Sequence, residues 1–295
     1  MFAGSYTAMT TPFRAGQLDV AALEKQIAFQ AKGGTQGLVP VGTTGESPTL
    51  SHEEHHKVFD VTVHAARGTG MKVLAGTGSN STDEAIELTQ YARRIGCDGA
   101  LMVNPYYNKP TQEGLYRHFH YIATRVDIPI VLYNIPGRTG ITMTAHTMAR
   151  LAADCPNIVG VKEATGDLNL ASEIACTTRL TILSGDDSLT LPLMAVGGSG
   201  VISVLSNIVP DLLRQLTDAA AAGRLADARA VHLKLFPLCK AIFAETNPIG
   251  IKTALHLLGR DTGELRLPMC DASALTKKGI QQALINVGLL PDGAA

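Results

Sequence analysis

A lysine at the end of a buried strand is the residue of this sequence best placed for covalent chemistry. The small and β-branched residues of Ile158–Val161 predict a buried strand, and Lys162 ends it. Burial disfavours an ammonium ion and lowers the pKa of a lysine, which makes the amine a nucleophile towards carbonyl carbons. The alternative is a buried ion pair, for instance with Glu163. The strand alone leaves both interpretations open.

Side chains suited to a ketone substrate follow other apolar runs of the chain. The turn Gly42–Gly45 offers backbone N–H groups and the hydroxyls of Thr43 and Thr44, which can hold a small carboxylate. Tyr133 ends another run and can donate and accept a proton, and Thr43 and Tyr107 could extend this route towards water. Tyrosines at strand ends often only cover a core, so these roles require that the residues meet.

Arg138 follows Tyr133 in the segment Tyr133–Gly140. Its planar guanidinium is suited to binding a carboxylate through two parallel hydrogen bonds. An arginine in an exposed loop is the alternative interpretation. Together these residues predict an amine catalyst with sites for two carboxylates.

Other polar groups give weaker signals. The glycine-rich segments Gly76–Asn80 and Gly197–Gly200 predict tight turns, because no GxxxxGK[ST] phosphate-binding pattern is present. His52 and His55 lie on one predicted helix, but without a cysteine or carboxylate at zinc-like spacing, so we predict no metal site and an exposed histidine face. Lys252 stands in an apolar stretch of a late helix, and we assign it no chemical role.

The elements that must position these residues alternate along the chain. Eight apolar runs are Ser5–Thr11, Gly37–Val41, Lys72–Gly76, Gly99–Asn104, Ile130–Asn134, Ile158–Lys162, Leu180–Ser184 and Gly200–Val204. Helical stretches follow them at Asp19–Lys32, Ser51–Ala66, Thr82–Ile95, Thr111–Arg125, Thr144–Ala153, Leu168–Thr178, Ser188–Val196 and Pro210–Ala222. This alternation predicts a (β/α)₈ barrel, whose active site lies at the carboxyl ends of the strands. A doubly wound sheet usually has fewer units and a GxGxxG after its first strand.

Three more helices are predicted after the barrel, at Leu225–Ala244, Pro248–Leu258 and Ala272–Val287. A (β/α)₈ barrel does not need them. We therefore predict a catalytic barrel over residues 1–223 and a small C-terminal three-helix domain over residues 224–295. The sequence does not decide whether that domain is a simple appendage or an oligomerisation surface.

Composition excludes several classes of partner. The chain has 295 residues, with 25 basic and 26 acidic side chains and a net charge of -1. No basic stripe is present, which argues against nucleic acid and anionic membrane. The five cysteines are widely spaced, and no long apolar segment or signal peptide is evident. We expect a cytoplasmic protein without membrane or nucleic-acid partners.

Five motifs, taken together and in order, resemble the dihydrodipicolinate synthase family of pyruvate-dependent class I aldolases. They are VGTTGES at Val41–Ser47, NPYYNKP at Asn104–Pro110, YNIPGRTG at Tyr133–Gly140, VKEATG at Val161–Gly166 and SGDD at Ser184–Asp187. The resemblance runs from Met1 to about Leu290. It implies condensation of pyruvate with L-aspartate 4-semialdehyde on the route to lysine, followed by cyclisation, with no cofactor beyond a covalent Schiff base. It also implies a homotetramer built from two tight dimers.

The resemblance also implies a role for each site residue. Lys162 matches the Schiff-base lysine and Tyr133 the general acid and base. Thr43 and Tyr107 match the rest of the proton relay. The substrate-binding positions correspond to Thr44 and Ile202 for pyruvate, the latter through its backbone, and to Arg138 for the carboxylate of the semialdehyde.

A second, regulatory site is implied at the tight dimer interface, where members inhibited by L-lysine bind their effector. The corresponding positions are Ser47, Pro48, His52, His55, Asn80, Glu84 and Tyr106, of which Tyr106 reaches across the interface.

Two rival functions remain at this stage. A sister 2-keto-acid aldolase such as N-acetylneuraminate lyase would share Lys162, Tyr133 and Thr43 with Thr44, and Arg138 argues against it. A non-catalytic barrel would lack the lysine or the tyrosine.

Overall fold

A computed structural model describes residues 2–293 of the chain. Within these residues, eight parallel strands close into a barrel in which each strand pairs with its neighbours along the chain and the first pairs with the last. The strands are β1 Gly4–Ala8, β2 Gly37–Val39, β3 Lys72–Gly76, β4 Gly99–Val103, β5 Ile130–Asn134, β6 Ile158–Glu163, β7 Thr181–Ser184 and β8 Gly200–Ser203. The predicted barrel is confirmed.

Helices surround the barrel in the predicted order. They are α1 Val20–Lys32, α2 His52–Ala66, α3 Thr82–Ile95, α4 Gln112–Ala123, α5 Ala145–Asp154, α6 Leu168–Thr177, α7 Thr190–Ala195 and α8 Pro210–Ala221. Several begin at the predicted caps. Before α2, the Ser51 hydroxyl accepts the Glu54 N–H and the Glu54 carboxylate accepts the Ser51 N–H.

Most predicted boundaries shift by one to three residues, and the largest shift lies at the end of β1, where side chains bind neighbouring polar groups. Strand β1 ends at Ala8 rather than at Thr11, since the Thr10 N–H donates to Asn207 Oδ1 at 3.3 Å and the Thr11 hydroxyl donates to the Gly45 carbonyl at 2.7 Å. Helix α7 is shorter than predicted. A 3₁₀ turn at Asp187–Leu189 precedes it.

The barrel is filled from inside and covered from outside by apolar side chains. The interior cluster consists of buried residues that the strands direct inwards, together with Phe2: Phe2, Tyr6, Ala8, Val39, Leu74, Leu101, Val131, Tyr133, Leu183 and Ile202. A larger cluster fills the layer between strands and helices. Two packed layers of this kind hold the strand ends rigidly, which is the condition for a precise site.

The C-terminal helices are α9 Leu225–Ile242, α10 Ile249–Leu257 and α11 Ala274–Asn286. Their apolar side chains share one buried cluster with residues 201–216, at the end of β8 and in α8. The tail therefore packs directly against the barrel wall. The proposed division at residue 223 stays a prediction.

Some features relevant to partners are visible in the described residues. Among residues 2–293, no helix is long and apolar enough to cross a membrane. The same residues contain no group of three or more His, Cys, Asp or Glu side chains able to hold a metal ion. All five cysteines, each within the described range, are free.

Candidate active site

Lys162 lies one residue before the carboxyl end of β6. It pairs in register with Tyr133 on β5 and with Leu183 on β7. Its side chain is only 6% exposed. The Nζ atom lies 4.3 Å from the centre of the Tyr133 ring, so the ring face is the electrostatic neighbour of the ammonium group.

The adjacent Glu163 does not neutralise this lysine. Among the ion pairs of residues 2–293, none contains Lys162. The Glu163 carboxylate instead accepts the Asn134 side-chain amide at 3.1 Å and the Thr165 N–H at 2.7 Å. Burial raises the pKa of Glu163. The ion-pair interpretation of Lys162 with Glu163 is therefore wrong.

Space around the lysine comes from a glycine on the neighbouring strand end. A Cβ atom at Gly185 would lie 3.2 Å from Lys162 Cε and 2.5 Å from the Ala164 Cβ. Contacts this short would force the lysine or the backbone to move. Gly185 thus leaves the lysine side chain room to reach the pocket.

A pocket of about 870 Å³ opens above Lys162 and brings most of the predicted residues together. The predicted residues that line it are Thr43, Thr44, Tyr133, Arg138 and Lys162. The segment from Phe243 to Asn247, between α9 and α10, forms another wall. The two hydroxyl residues, the tyrosine, the arginine and the lysine therefore face one cavity.

The turn that carries Thr43 and Thr44 has an unusual backbone. A 3₁₀ turn covers Thr43–Gly45, and it is framed by Val41 and Glu46, which both have positive φ angles, of 56° and 54°. Non-glycine residues adopt this region at an energetic cost and need support from their surroundings. The support for Glu46 comes from the C-terminal helices.

Arg138 lies in a helical turn, Pro136–Thr139, that follows β5. One of its terminal nitrogens, Nη2, donates to the Asn247 carbonyl at 2.9 Å. The arginine lines the lysine pocket and also an adjoining cavity of about 240 Å³. Arg138 is exposed, as in the alternative interpretation, and this bond ties its guanidinium to the Asn247 wall of the pocket.

Ile202 is buried inside the barrel on β8 and does not line the pocket, so the predicted role of its backbone stays a prediction. The residues after it are held by Asp187. That carboxylate accepts the Ser203 hydroxyl, the Val204 N–H at 2.9 Å and the Leu205 N–H at 3.3 Å. Burial raises the pKa of Asp187 to about 6.

Tyr107 is the predicted site residue that a single chain does not bring to the lysine. Its side chain is 90% exposed, its φ angle is +72°, and it does not line the pocket of Lys162. Tyr106, by contrast, is partly buried and lines the smaller adjoining cavity.

The predicted effector residues do converge, at the beginnings of α2 and α3. His52 Nε2 lies 3.0 Å from Glu84 Oε1, and the Ser79 hydroxyl donates to the same carboxylate. His55 Nε2 lies 3.0 Å from the Ser47 carbonyl. His55 is buried, so the prediction of a fully exposed histidine face was wrong: the loop after β2 folds back over it.

The remaining effector positions lie beside this group. Ser47 and Pro48 line the 240 Å³ cavity together with Tyr106. The Asn80 carbonyl accepts the Asn108 side-chain amide at 2.9 Å. The cavity thus has one wall from the predicted effector residues and one from Thr43, Tyr133 and Arg138.

Two residues of the C-terminal segment support the site and were missed from the sequence. The Asn247 side-chain amide donates to the Thr44 hydroxyl at 3.0 Å, and Lys252 forms a fully buried ion pair with Glu46 at 2.6 Å. The place of Lys252 on a helix outside the barrel gives no sign of a role near the strand ends. A cation inside an apolar helix stretch was the available signal, since buried charges require partners.

A sequence profile described as the Dihydrodipicolinate synthetase family matches residues 1–286. The chain belongs to this family. A relative from Endomicrobium trichonymphae, named 4-hydroxy-tetrahydrodipicolinate synthase, is 54% identical over 98% of this chain and 100% of its own length. The predicted family is confirmed, and with it an enzyme of the class I aldolase type.

Two solved structures of relatives contain bound small molecules. The dihydrodipicolinate synthase from Cyanidioschyzon merolae, with lysine bound, is 44% identical and superimposes with a TM-score of 0.96 over 98% of this chain and 99% of that one. The chloride-inhibited enzyme from Acinetobacter baumannii, complexed with pyruvate, is 42% identical with a TM-score of 0.95 over 98% of this chain and 100% of that one. Fold and family are thus common to the three proteins.

Proposed function

We propose that this chain condenses pyruvate with L-aspartate 4-semialdehyde and cyclises the product to 4-hydroxy-2,3,4,5-tetrahydrodipicolinate. The observation that carries the proposal is the position of Lys162, which is buried with no ion-pair partner among residues 2–293 and lies 4.3 Å from the Tyr133 ring centre, in one pocket with Thr43, Thr44 and Arg138. An amine in that position can act as a nucleophile. The family membership and the relatives' names support the same reaction.

The first half-reaction forms a covalent intermediate with pyruvate. The neutral amine of Lys162 attacks the keto carbon, the keto oxygen takes a proton from the Tyr133 hydroxyl, and the Tyr133 oxygen takes one back from the nitrogen, which gives a neutral carbinolamine. A second proton from Tyr133 releases the oxygen as water and leaves a protonated imine between Lys162 and pyruvate. The Tyr133 oxygen then accepts a methyl proton, which gives the enamine. Thr44 and the turn that carries it hold the pyruvate carboxylate. No metal or organic cofactor is needed, since the protonated imine itself accepts the electron pair.

The second half-reaction joins the two substrates. The enamine carbon attacks the aldehyde carbon, and the aldehyde oxygen becomes a hydroxyl group. Arg138 holds the carboxylate of the semialdehyde through its two parallel N–H groups. The amino group of that substrate then attacks the imine carbon, which closes the ring and releases Lys162 as a free amine.

Tyr107 can join this proton relay only from another copy of the chain. Its ring is 90% exposed and lies outside the pocket that its own chain forms around Lys162. We therefore assign the exposed Tyr107 ring to a contact between two copies, in a tetramer of paired dimers that acts in the cytoplasm. Sedimentation analysis of wild type and of Tyr107→Ala tests this contact, and we expect the variant to shift to smaller species. An activity assay of the same variant tests the relay, for which we expect a loss of turnover.

The convergence of His52, His55 and Glu84 supports a regulatory site for L-lysine. The Glu84 carboxylate is partly exposed and can pair with an ammonium group of the effector, and the cavity beside it adjoins Thr43 and Tyr133. A titration with millimolar lysine should lower turnover, and Glu84→Gln should remove that response while keeping basal turnover. Full activity of the wild type throughout the titration would refute this regulation.

Borohydride trapping followed by a coupled assay tests the reaction itself. Reduction in the presence of pyruvate should add one pyruvyl group to the chain, and peptide mapping should place it on Lys162. Turnover should then require both pyruvate and aspartate semialdehyde. Absence of the adduct contradicts any Schiff-base mechanism, whereas an adduct without turnover of the semialdehyde favours a sister aldolase.

Arg138→Ala separates the two half-reactions. The variant should still form the reduced pyruvyl adduct, because Arg138 serves the second substrate. Its KM for the semialdehyde should rise by roughly 10- to 100-fold, as expected when a charge-assisted bidentate contact is lost. Equal weakening of both substrates would contradict this assignment.

A further inference from the structure

Lys252 lies on α10, and all three N–H donors of its ammonium group form hydrogen bonds within the protein. It is completely buried. Its Nζ donates to Glu46 Oε1 at 2.6 Å, to the Thr11 carbonyl at 2.8 Å and to the Glu264 carbonyl at 2.5 Å. An ammonium group has three N–H donors, so every donor has a partner.

Glu46 connects this lysine to the turn that lines the pocket. It follows Thr43–Gly45 directly and has left-handed backbone angles, φ 54° and ψ 37°. Its Oε2 accepts the backbone N–H of Arg266 at 3.0 Å, so both carboxylate oxygens are bonded to the C-terminal segment. A non-glycine residue keeps such a conformation only when its surroundings hold it there.

The turn receives further bonds from Thr11 and Asn247. The Thr11 hydroxyl donates to the Gly45 carbonyl at 2.7 Å, and the Asn247 amide donates to the Thr44 hydroxyl at 3.0 Å. The Thr11 carbonyl also accepts a bond from Lys252. The lysine therefore binds both Glu46, which ends the turn, and Thr11, whose hydroxyl binds the Gly45 carbonyl. Strand β2 ends at Val39, so these bonds add to the turn's own backbone bonds, in which the Gly45 and Ser47 N–H groups donate to the Gly42 carbonyl.

We propose that Lys252 is a positioning residue for catalysis: through Glu46 it holds the Thr43–Glu46 turn in the conformation that binds the pyruvate carboxylate. The inference rests on the proposed function, in which Thr44 and its turn hold that carboxylate. Lys252 does not contact substrate, because it is fully buried and does not line the pocket. It is instead the contact through which the C-terminal helices become necessary for the chemistry.

Charge is essential to this role. Burial lowers the pKa of Lys252, and the nearby Glu46 opposes that effect. Removing one member of a buried pair leaves the other charge without compensation, and the remaining group then moves towards water. Movement of Glu46 would carry Thr44 with it, since only Gly45 separates them in the sequence.

The test compares Lys252→Met with a control substitution in the same C-terminal segment. Lys252→Met should raise the KM for pyruvate by roughly 10-fold or more, because small displacements of positioning groups have large kinetic effects. The KM for the semialdehyde and the identity of the trapped residue, Lys162, should not change. KM does not depend on how much of the enzyme is folded, so loss of stability alone would not produce this result.

Arg266→Met is the matched control. The Arg266 guanidinium binds Glu54 on α2 through two bonds, of 2.6 and 2.7 Å, and the Thr49 and Gly16 carbonyls at 2.8 Å. The backbone N–H of residue 266, which donates to Glu46, survives the substitution. It removes a partly buried ion pair of the same C-terminal segment without uncoupling Lys252 from the turn. It should lower stability and leave the KM for pyruvate close to that of wild type.

A second variant protects the test if Lys252→Met does not fold. Glu46→Gln keeps the side-chain volume and one acceptor for Lys252 but loses the charge, and it should raise the same KM in the same direction. A wild-type KM for pyruvate in whichever variant folds would overturn the inference, as would an equal rise for both substrates. If the wild type forms no adduct at Lys162, the proposed function itself fails, and the inference with it.

Discussion

Two buried lysines of this chain differ in what surrounds them. Lys252 is fully buried and has three acceptors, one of them the Glu46 carboxylate at 2.6 Å. Lys162 is 6% exposed, faces a pocket and has the ring of Tyr133 as its electrostatic neighbour, with no ion pair among the described residues. Burial alone therefore does not distinguish a structural lysine from a reactive one.

The difference lies in which groups surround the side-chain nitrogen of each lysine. Lys252 has an acceptor for each of its three N–H donors, so its nitrogen is enclosed by protein atoms and does not face the pocket. Lys162 instead faces the pocket, where its nitrogen can reach a carbonyl carbon. This contrast supports the two proposals, in which Lys252 positions the pocket turn and Lys162 carries the chemistry.

Lys162→Ala removes the reactive member and should have the largest effect. We expect turnover to fall by at least about 10⁴-fold, because no other group can form the covalent intermediate. Borohydride should trap no pyruvyl group, while the melting temperature stays close to that of wild type or above it. Residual adduct on Lys252 would contradict the assignment of the two lysines.

Lys252→Met, unlike Lys162→Ala, should cause a large loss of unfolding free energy. Loss of one partner from a buried pair leaves Glu46 charged and unpaired, which costs about 3–5 kcal/mol of unfolding free energy. Chemical denaturation at fixed protein concentration measures this. The double variant Lys252→Met/Glu46→Gln removes both charges and should recover part of the loss. Recovery of nothing would indicate that packing, rather than charge, accounts for it.

Tyr133→Phe tests whether the ring beside Lys162 acts through its hydroxyl group. The ring face remains in the variant, so the lysine keeps its neighbour, but the proton donor is lost. We expect turnover to fall by about 10²-fold or more, with slower formation of the adduct. Tyr6→Phe, inside the same barrel cluster, is the control and should keep turnover close to wild type. Similar losses in both variants would contradict a proton-transfer role for Tyr133.

The sequence predicts much of this arrangement, and the part it misses has a physical reason. Periodicity and capping residues predict the eight strands and their helices, and the residues at the strand ends predict Lys162, Tyr133 and Arg138. Lys252 and Asn247 escape this approach, because their roles depend on contacts with Glu46 and Thr44 that lie more than two hundred positions away. Local patterns carry no information on which distant carboxylate compensates a buried cation.

Asp187 is a third buried ionisable group to compare with the two lysines. It accepts bonds from neutral O–H and N–H donors, and it forms no ion pair among residues 2–293. Its carboxylate accepts bonds from Ser203, Val204 and Leu205, yet burial raises its pKa from 3.8 to about 6. Because the folded-state pKa is the higher one, the stability contributed by this group is fully present below about pH 3.8 and is lost as the pH rises through about 6.

The prediction for Asp187→Asn follows from that sign. The unfolding free energy of the wild type, minus that of the variant, should fall by about 2.5 kcal/mol between pH 4 and pH 7, since each pKa unit corresponds to about 1.4 kcal/mol and part of the shift is already lost at pH 4. Denaturation curves at several pH values measure this difference. If the difference instead rises with pH, the donors around Asp187 outweigh its burial. The carboxylate would then be stabilised by neutral groups alone, as effectively as Glu46 is stabilised by Lys252.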